Sequence, residues 1–257
     1  MKTRLWNKDE LKLAFHLYCR LPFGKLHSRN PKIIELAGLI GRTPSSVSMK
    51  LVNFASLDPD ITDSGRRGLG NAPDLDRQVW GEFHSDWERL ALECESILTS
   101  RGAAPASNQI YNLAVDAEAG YEGETRAATV QVRVKQGFFR AAVLAGYDMK
   151  CCMTGLAVPE LLVASHIVPW AADKKNRLNP RNGLCLSSLH ERAFDAGLLT
   201  VTEQHVIKVS GRLLKGKSNW FNSRALCDLN GKCVQLPARF YPDPAFLRYH
   251  EEEVFVA

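Results

Sequence analysis

The sequence lacks what a membrane protein, a secreted protein or a zinc ribbon needs. It has no run of about 18 apolar residues, so no transmembrane helix and no membrane partner is expected. Its first residues, MKTRLWNKDELK, contain no apolar signal-peptide core. The cysteines are odd in number and scattered: Cys19, Cys94, Cys151, Cys152, Cys185, Cys227 and Cys233. None forms a C-x-x-C pair, which argues against a structural zinc knuckle. The pattern fits reduced thiols in a cytoplasm, most of them small buried hydrophobes. No organic cofactor is expected.

What the chain has is length and an uneven charge. Its 257 residues, 45% of them hydrophobic, allow one large domain or two small ones. Residues 1–56 hold ten Lys/Arg against three Asp/Glu, residues 57–125 five against fourteen, and residues 174–217 nine against three. Two basic blocks around an acidic one suit two DNA-facing modules joined by a segment that faces elsewhere, although solvated faces give the same counts.

In the N-terminal part, Trp6 to Tyr18 reads as an amphipathic helix with Asn7 or Asp9 near its start and Leu11, Phe15 and Tyr18 on one side. Pro31 opens the next helix. Residues 33–53, IIELAGLIGRTPSSVSMKLVN, fit a helix-turn-helix. Ala37 is the small residue at the crossing, and Gly41 supplies positive φ in the turn. Thr43 and Pro44 start the second helix, which Val47 pins to the first. Its outer side presents Ser45, Ser46, Ser48, Met49, Lys50 and Asn53 to a major groove, with Arg42 and Lys50 as phosphate contacts. The alternative is a packing unit of the same geometry. Leu57 to Pro73 reads as a loop whose Arg66 and Arg67 reach DNA or solvent. Asp74 to Leu98 reads as one long helix. The resulting division is a helical domain over 1–98, a linker over 99–125 and a second domain over 126–257.

In the second domain Ala127 to Val134, AATVQVRV, alternates like a strand, and Gln136 to Leu144 reads as a helix. Then comes the most informative stretch, Val163 to Val201. Glu160 to Ile167 reads as a strand, a basic loop follows, and Gly183 to Leu186 forms an antiparallel partner. A helix capped by Ser187 or Ser188 carries His190 and stops at Gly197. His166, Asn182 and His190 are spaced 16 and then 8 residues apart. A hairpin followed by a helix can bring all three to one point. An imidazole takes a proton from water near neutral pH, and a second one can hold a divalent metal against phosphate charge. Asn182 would hold the backbone of the base or fix its tautomer. Beyond the helix, Leu198 to Val209 and Arg212 to Leu214 read as strands of a second hairpin, with Lys208 and Arg212 on a basic edge. Asn230-Gly231 signals a further hairpin, and LRYHEEEVF a solvated acidic helix.

Two strings carry a family resemblance: Ser165-His166-Ile167-Val168-Pro169-Trp170, and His190 through Phe194-Asp195-Ala196-Gly197-Leu198-Leu199. The chain resembles the HNH endonucleases from about Phe138 onward, closest to a bacterial restriction-like group. GRTPSSV-x-MKL-x-NFASLDP is similar to a segment often found ahead of that group. The resemblance implies an α+β fold, with a helix-turn-helix-like helical domain and a C-terminal ββα-metal finger bearing extra β-hairpins. It makes His166 the general base, Asn182 the positioning residue and His190 a metal ligand. Ser165 stands where many members carry Asp or His as a second ligand. Asp195 is the alternative ligand, although it lies about 140° round the helix from His190, and it alternatively caps or binds an arginine.

The expectation is a DNA endonuclease using one divalent metal, Mg²⁺ first and Mn²⁺, Ni²⁺ or Zn²⁺ as alternatives. The substrate is double-stranded DNA, held by Lys174, Lys175, Arg177 and Arg181 beside the base as well as by the residues above. A homodimer would cut both strands. The alternatives are a nonspecific or toxin-like nuclease, and a DNA-binding regulator on an inactive scaffold.

Overall fold

Helix α1 (Lys8–Cys19) opens on a reciprocal pair. Asn7 Oδ1 accepts from the Glu10 N–H at 2.9 Å, and Glu10 Oε2 accepts from the Asn7 N–H at 3.3 Å. Two donors with no partner inside the helix are thereby satisfied. The structure is a computed structural model describing residues 4–65, 70, 72–84, 86–103, 126–215 and 219–257. The chain falls into two units, Met1–Cys19 with Gly24–Phe138, and Arg20–Phe23 with Phe139–Ala257.

The first unit is helical. In α2 (Pro31–Ile40), Asn30 caps the start, and Gly41 at φ 65° closes the end by donating back to the carbonyls of Ala37 and Gly38. A side chain at Gly41 would be strained in that left-handed conformation. In α3 (Pro44–Leu57), Thr43 caps the start and Val47, Leu51 and Phe54 are buried. The expected loop over 57–73 contains a short helix, α4 (Pro59–Asp63), capped by Asp58, which also accepts from the Tyr18 hydroxyl at 2.7 Å. The expected single helix over 74–98 is two, α5 (Asp74–Phe83) and α6 (Trp87–Ser100). Asp86 breaks it, because its carboxylate accepts from the Arg89 N–H and starts a new helix. Phe15 anchors the core, with ring centroids 5.1 Å from Phe54 and 5.3 Å from Trp80. Arg66, Arg67 and the linker residues 104–125 lie outside the described residues.

Helix α7 (Arg126–Gly146) spans the sequence boundary between the units. The strand expected over 127–134 is its first part. The alternating valines suggested a period of two, but no breaker separates them from the following run. Val134, Phe138 and Ala142 are buried at four-residue spacing, so one helical stripe accounts for the whole segment.

In the second unit, β1 (Leu162–His166) and β2 (Gly183–Ser187) pair antiparallel, from Leu162↔Ser187 at one end to His166↔Gly183 at the other. Helix α8 (Ser188–Asp195) follows at once, capped by Ser187. A second hairpin joins β3 (Leu199–Val201) to β4 (Ile207–Val209). The strand expected over 212–214 is instead α9 (Gly211–Lys215), started by Ser210, whose hydroxyl and carbonyl take the N–H groups of Arg212 and Leu213. Helix α10 (Trp220–Ala225) comes next. The hairpin expected at Asn230-Gly231 is also replaced, since Cys227–Leu229 turns as a 3₁₀ segment and only a bridge joins Val206 to Cys233. Asn230 spends its side chain accepting from the Val209 N–H. The tail forms α11 (Pro244–Tyr249) and a π-helical turn, His250–Val254. His250 is buried, stacked on Phe194 at 3.6 Å, so this is not the solvated helix that its glutamates suggested. No described helix is long and apolar enough to cross a membrane.

Candidate active site

His166 ends β1, directly across from Gly183. A Cβ at Gly183 would stand 2.4 Å from Val143 Cγ2 and 2.9 Å from Phe139 Cζ, so only glycine admits α7 this close to the hairpin. Through that gap the Phe139 ring lies parallel to the His166 imidazole, with centroids 3.9 Å apart and planes 5° apart. Trp170 meets the same imidazole edge-on at 5.4 Å. His166 Nε2 lies 2.9 Å from the carbonyl oxygen of Arg177. A carbonyl only accepts, so Nε2 carries the proton and Nδ1 keeps the lone pair. Burial also disfavours the charged ring, and the pKa falls below the usual value despite the Arg177 carbonyl. The result is a held, neutral imidazole with one defined basic nitrogen.

Asn182 is 1% exposed, and its side chain bonds backbone groups. Its Oδ1 accepts from the Val168 N–H at 2.8 Å, and its Nδ2 donates to the carbonyls of Val168 and Asn176. Its own carbonyl accepts from the Ile167 N–H at 3.0 Å. Three of these bonds tie the end of the basic loop to the residues just after His166, and the fourth holds the loop to itself. Within the loop, Asp173 accepts from the N–H groups of Lys175 and Asn176, and this turn leaves Lys174 and Lys175 exposed. Arg177 donates to the Trp170 carbonyl at 2.7 Å, and its guanidinium covers the Trp170 ring at 4.9 Å. Its first task is therefore to hold the loop whose carbonyl holds the base. Arg181 lies half-buried at the loop's end.

His190 lies on the first turn of α8 and bonds Ser187, which sits four rungs along the hairpin from Gly183, the residue across from His166. Its Nδ1 lies 2.5 Å from Ser187 Oγ and its Nε2 lies 2.9 Å from the Ala225 carbonyl. Burial works against its charged form, but hydrogen bonds with Cys151 and the Ala225 carbonyl outweigh this and raise its pKa. In return Cys151, although buried, is lowered to about 7 by His190 and Thr154. With Nε2 on a carbonyl, the remaining lone pair of His190, on Nδ1, is engaged by the Ser187 hydroxyl.

The expected set of His190, Asp195 and Ser165 is therefore two separate sites. Ser165, 3% exposed, donates to Asp195 Oδ1 at 3.3 Å, one residue from the base. Among the described residues no group of three or more His, Cys, Asp or Glu is placed to hold a metal ion. The donors of the Ser165–Asp195 pair are oxygens, a set that suits a hard cation completing its shell with water and phosphate better than zinc. Glu191 lies one helical turn before Asp195 on the same side of α8, an i, i+4 spacing legible in the sequence.

Several residues expected on DNA are otherwise engaged. Lys50 Nζ lies 2.8 and 3.0 Å from the two oxygens of buried Asp76 and is itself buried. Arg42 bonds Glu10 at 2.7 Å and the carbonyls of Arg4 and Leu5, so it too is a structural cation. Asn53 donates to Asp76 and Ser48 to the Leu26 carbonyl. On the outer side of α3, Ser45 and Met49 remain exposed and Ser46 half-buried. Lys208 pairs with Glu251, while Arg212 is exposed on α9.

Sequence comparison agrees with the geometry at this hairpin. Residues 151–202, which hold β1, β2, α8 and β3, match the family described as HNH endonuclease. No curated protein matches the chain.

Proposed function

Residues 151–202 being an HNH endonuclease domain, we propose that this protein hydrolyses phosphodiester bonds of double-stranded DNA with His166 as general base. The observation that carries this reading is the Nε2 bond to the Arg177 carbonyl, which leaves Nδ1 as the basic nitrogen. Nδ1 takes a proton from water, the resulting hydroxide forms the new P–O bond, and the bond to the leaving 3′ oxygen breaks. Asn182 positions the base through the backbone of residues 167 and 168. Lys174 and Lys175 hold the strand beside it.

The domain's family implies a divalent metal. Asp195 and Ser165 are the residues that would hold it, with Glu191 one turn away, and Mg²⁺ or Mn²⁺ suits their oxygens. Bound there, such an ion supplies charge stabilisation to a phosphate oxygen or leaving group. The α2–α3 pair, with Ser45, Ser46 and Met49 outward, is the proposed reader of DNA sequence, and a homodimer is the proposed means of cutting both strands. This gives a restriction-type enzyme.

A second reading, a DNA-binding regulator on an inactive scaffold, is favoured by one observation. Both ring nitrogens of His190 are engaged, by the Ser187 hydroxyl and the Ala225 carbonyl. Plasmid cleavage with Mg²⁺, Mn²⁺ or EDTA, wild type beside His166→Ala, separates the two. Discrete metal-dependent fragments lost in the variant are expected. Specific binding with no cutting by the wild type selects the regulator.

A further inference from the structure

No described tryptophan or phenylalanine is exposed except one adjacent pair, Trp220 at 75% and Phe221 at 51%. Their rings meet edge to face, centroids 5.8 Å apart and planes at 83°. Such a pair normally turns inward, because burying an indole removes a large apolar area from water. Here the helix beneath is fixed. Asn219 caps α10 by accepting from the Asn222 N–H at 3.0 Å, and Asn222 Nδ2 donates to the Leu213 carbonyl at 3.0 Å. At its far end, the Ala225 carbonyl accepts from His190 Nε2. The aromatic pair therefore rides on a helix bonded to the finger's own helix.

The surroundings select the occupant. From 211 to 233 the sequence holds five Lys/Arg and one acid, Asp228. Arg212, Lys215 and Arg224 are exposed, the last 80% so, with Asp228 at 3.4 Å. An aromatic pair among cations fits a polyanion whose π-faces need a platform.

We propose that Trp220 and Phe221 receive an unstacked base of the bound DNA, with Arg212, Lys215 and Arg224 on the flanking phosphates. The site rests on the DNA-cleaving reading above. It adds a preference for bulged or distorted duplex, where a base is already free of its stack.

The test is fluorescence anisotropy with the full chain carrying His166→Ala, on a labelled duplex that is fully paired or has one bulged base. The bulged duplex should bind about ten- to a hundredfold tighter, the range that aromatic stacking supports. Adding Trp220→Ala should abolish that ratio and leave the paired duplex within twofold, while Trp220→Phe keeps most of it. A 2-aminopurine at the bulge should be quenched by the parent and not by Trp220→Ala, with far-UV circular dichroism unchanged. A ratio near one in the parent, or one that survives Trp220→Ala, overturns the site while leaving the nuclease reading intact. A fall in oligomeric state with DNA affinity kept assigns the pair to a second copy and overturns it as well. Failure of the parent to bind any DNA removes the nuclease reading itself, and the site with it.

Discussion

The two ends of one hairpin, built of two five-residue strands, are bound up with two histidines in opposite states. At the Gly183 end, His166 is pressed against Phe139, donates Nε2–H to one carbonyl and keeps Nδ1 basic. At the Ser187 end, His190 has both nitrogens occupied and a thiol beside it. His166 is half-buried and His190 buried, and desolvation works against the charged form of both, so desolvation does not separate them. The partner does: a lone carbonyl leaves an imidazole one free lone pair, and a carbonyl with a hydroxyl leaves none. The first arrangement suits proton transfer and the second suits holding a helix in place.

Substituting each histidine separates these roles most widely. His166→Ala should lower kcat about 10²- to 10⁴-fold, the usual weight of a general base, with little change in melting temperature. His190→Ala should do the reverse. It strands the Ser187 hydroxyl and the Ala225 carbonyl, at about 1–3 kcal/mol for a buried group left unpaired. Thermal melts and single-turnover cleavage would measure both. A His190→Ala protein that folds normally yet loses as much activity as His166→Ala restores His190 to the catalytic centre and undoes the contrast.

The pH dependences should also run in opposite directions. His166 has a pKa below the ordinary ~6.5, so it is neutral in the folded protein while the unfolded chain begins to take up its proton. Its contribution to stability is present above pH ~6.5 and lost as pH falls through the folded pKa, and cleavage should fall with it. His190 has a raised pKa, so its contribution is full below pH ~6.5 and lost as pH rises through the folded value. Ring-proton NMR titration should show two midpoints on either side of pH ~6.5, assigned by the two alanine variants. Coincident midpoints would mean that the partners described here do not govern the rings.

Smaller effects test how the His166 end is built. Asn182→Ala removes three side-chain bonds and leaves the Val168 N–H without its acceptor, at about 1–3 kcal/mol. Asn182→Asp keeps that acceptor and should recover part of kcat, which a purely space-filling role would not do. Gly183→Ala drives a methyl into Val143 and Phe139, at about 1–3 kcal/mol of overpacking, and should shift the His166 titration toward its ordinary value as the stack opens.

Local features were readable in the sequence. Asn7, Gly41, Thr43 and Pro44 carry their conformational preference in the residue itself, and each stands where its type predicts. The strand–loop–strand–helix order around His166 and Asn182 was readable for the same reason, since glycine, cap and apolar run follow in a few residues. What failed depended on distant partners. Lys50 looks like a phosphate contact until Asp76, 26 residues on, is packed against it. His190 looks like a ligand until Ala225, 35 residues on, claims its Nε2. The segment over 127–134 failed differently, because alternating valines obey a period of two while the stripe continuing to Ala142 obeys the helical one.

Cations of the two units extend the contrast to charge, with the smallest expected effects. Lys50 is buried against Asp76, whereas Lys174 and Lys175 are exposed on the loop that follows the base. A lysine that neutralises a phosphate releases counterions, so removing it should lower the slope of log K against log salt by about 0.9. Lys174→Ala and Lys175→Ala should each do so and weaken binding modestly, with unchanged melting temperature. Lys50→Ala should leave the slope alone and destabilise the first unit, because Asp76 is then a buried charge with its cation gone. If Lys50→Ala instead lowers the slope and spares stability, the ion pair opens on DNA and α3 meets the phosphates after all.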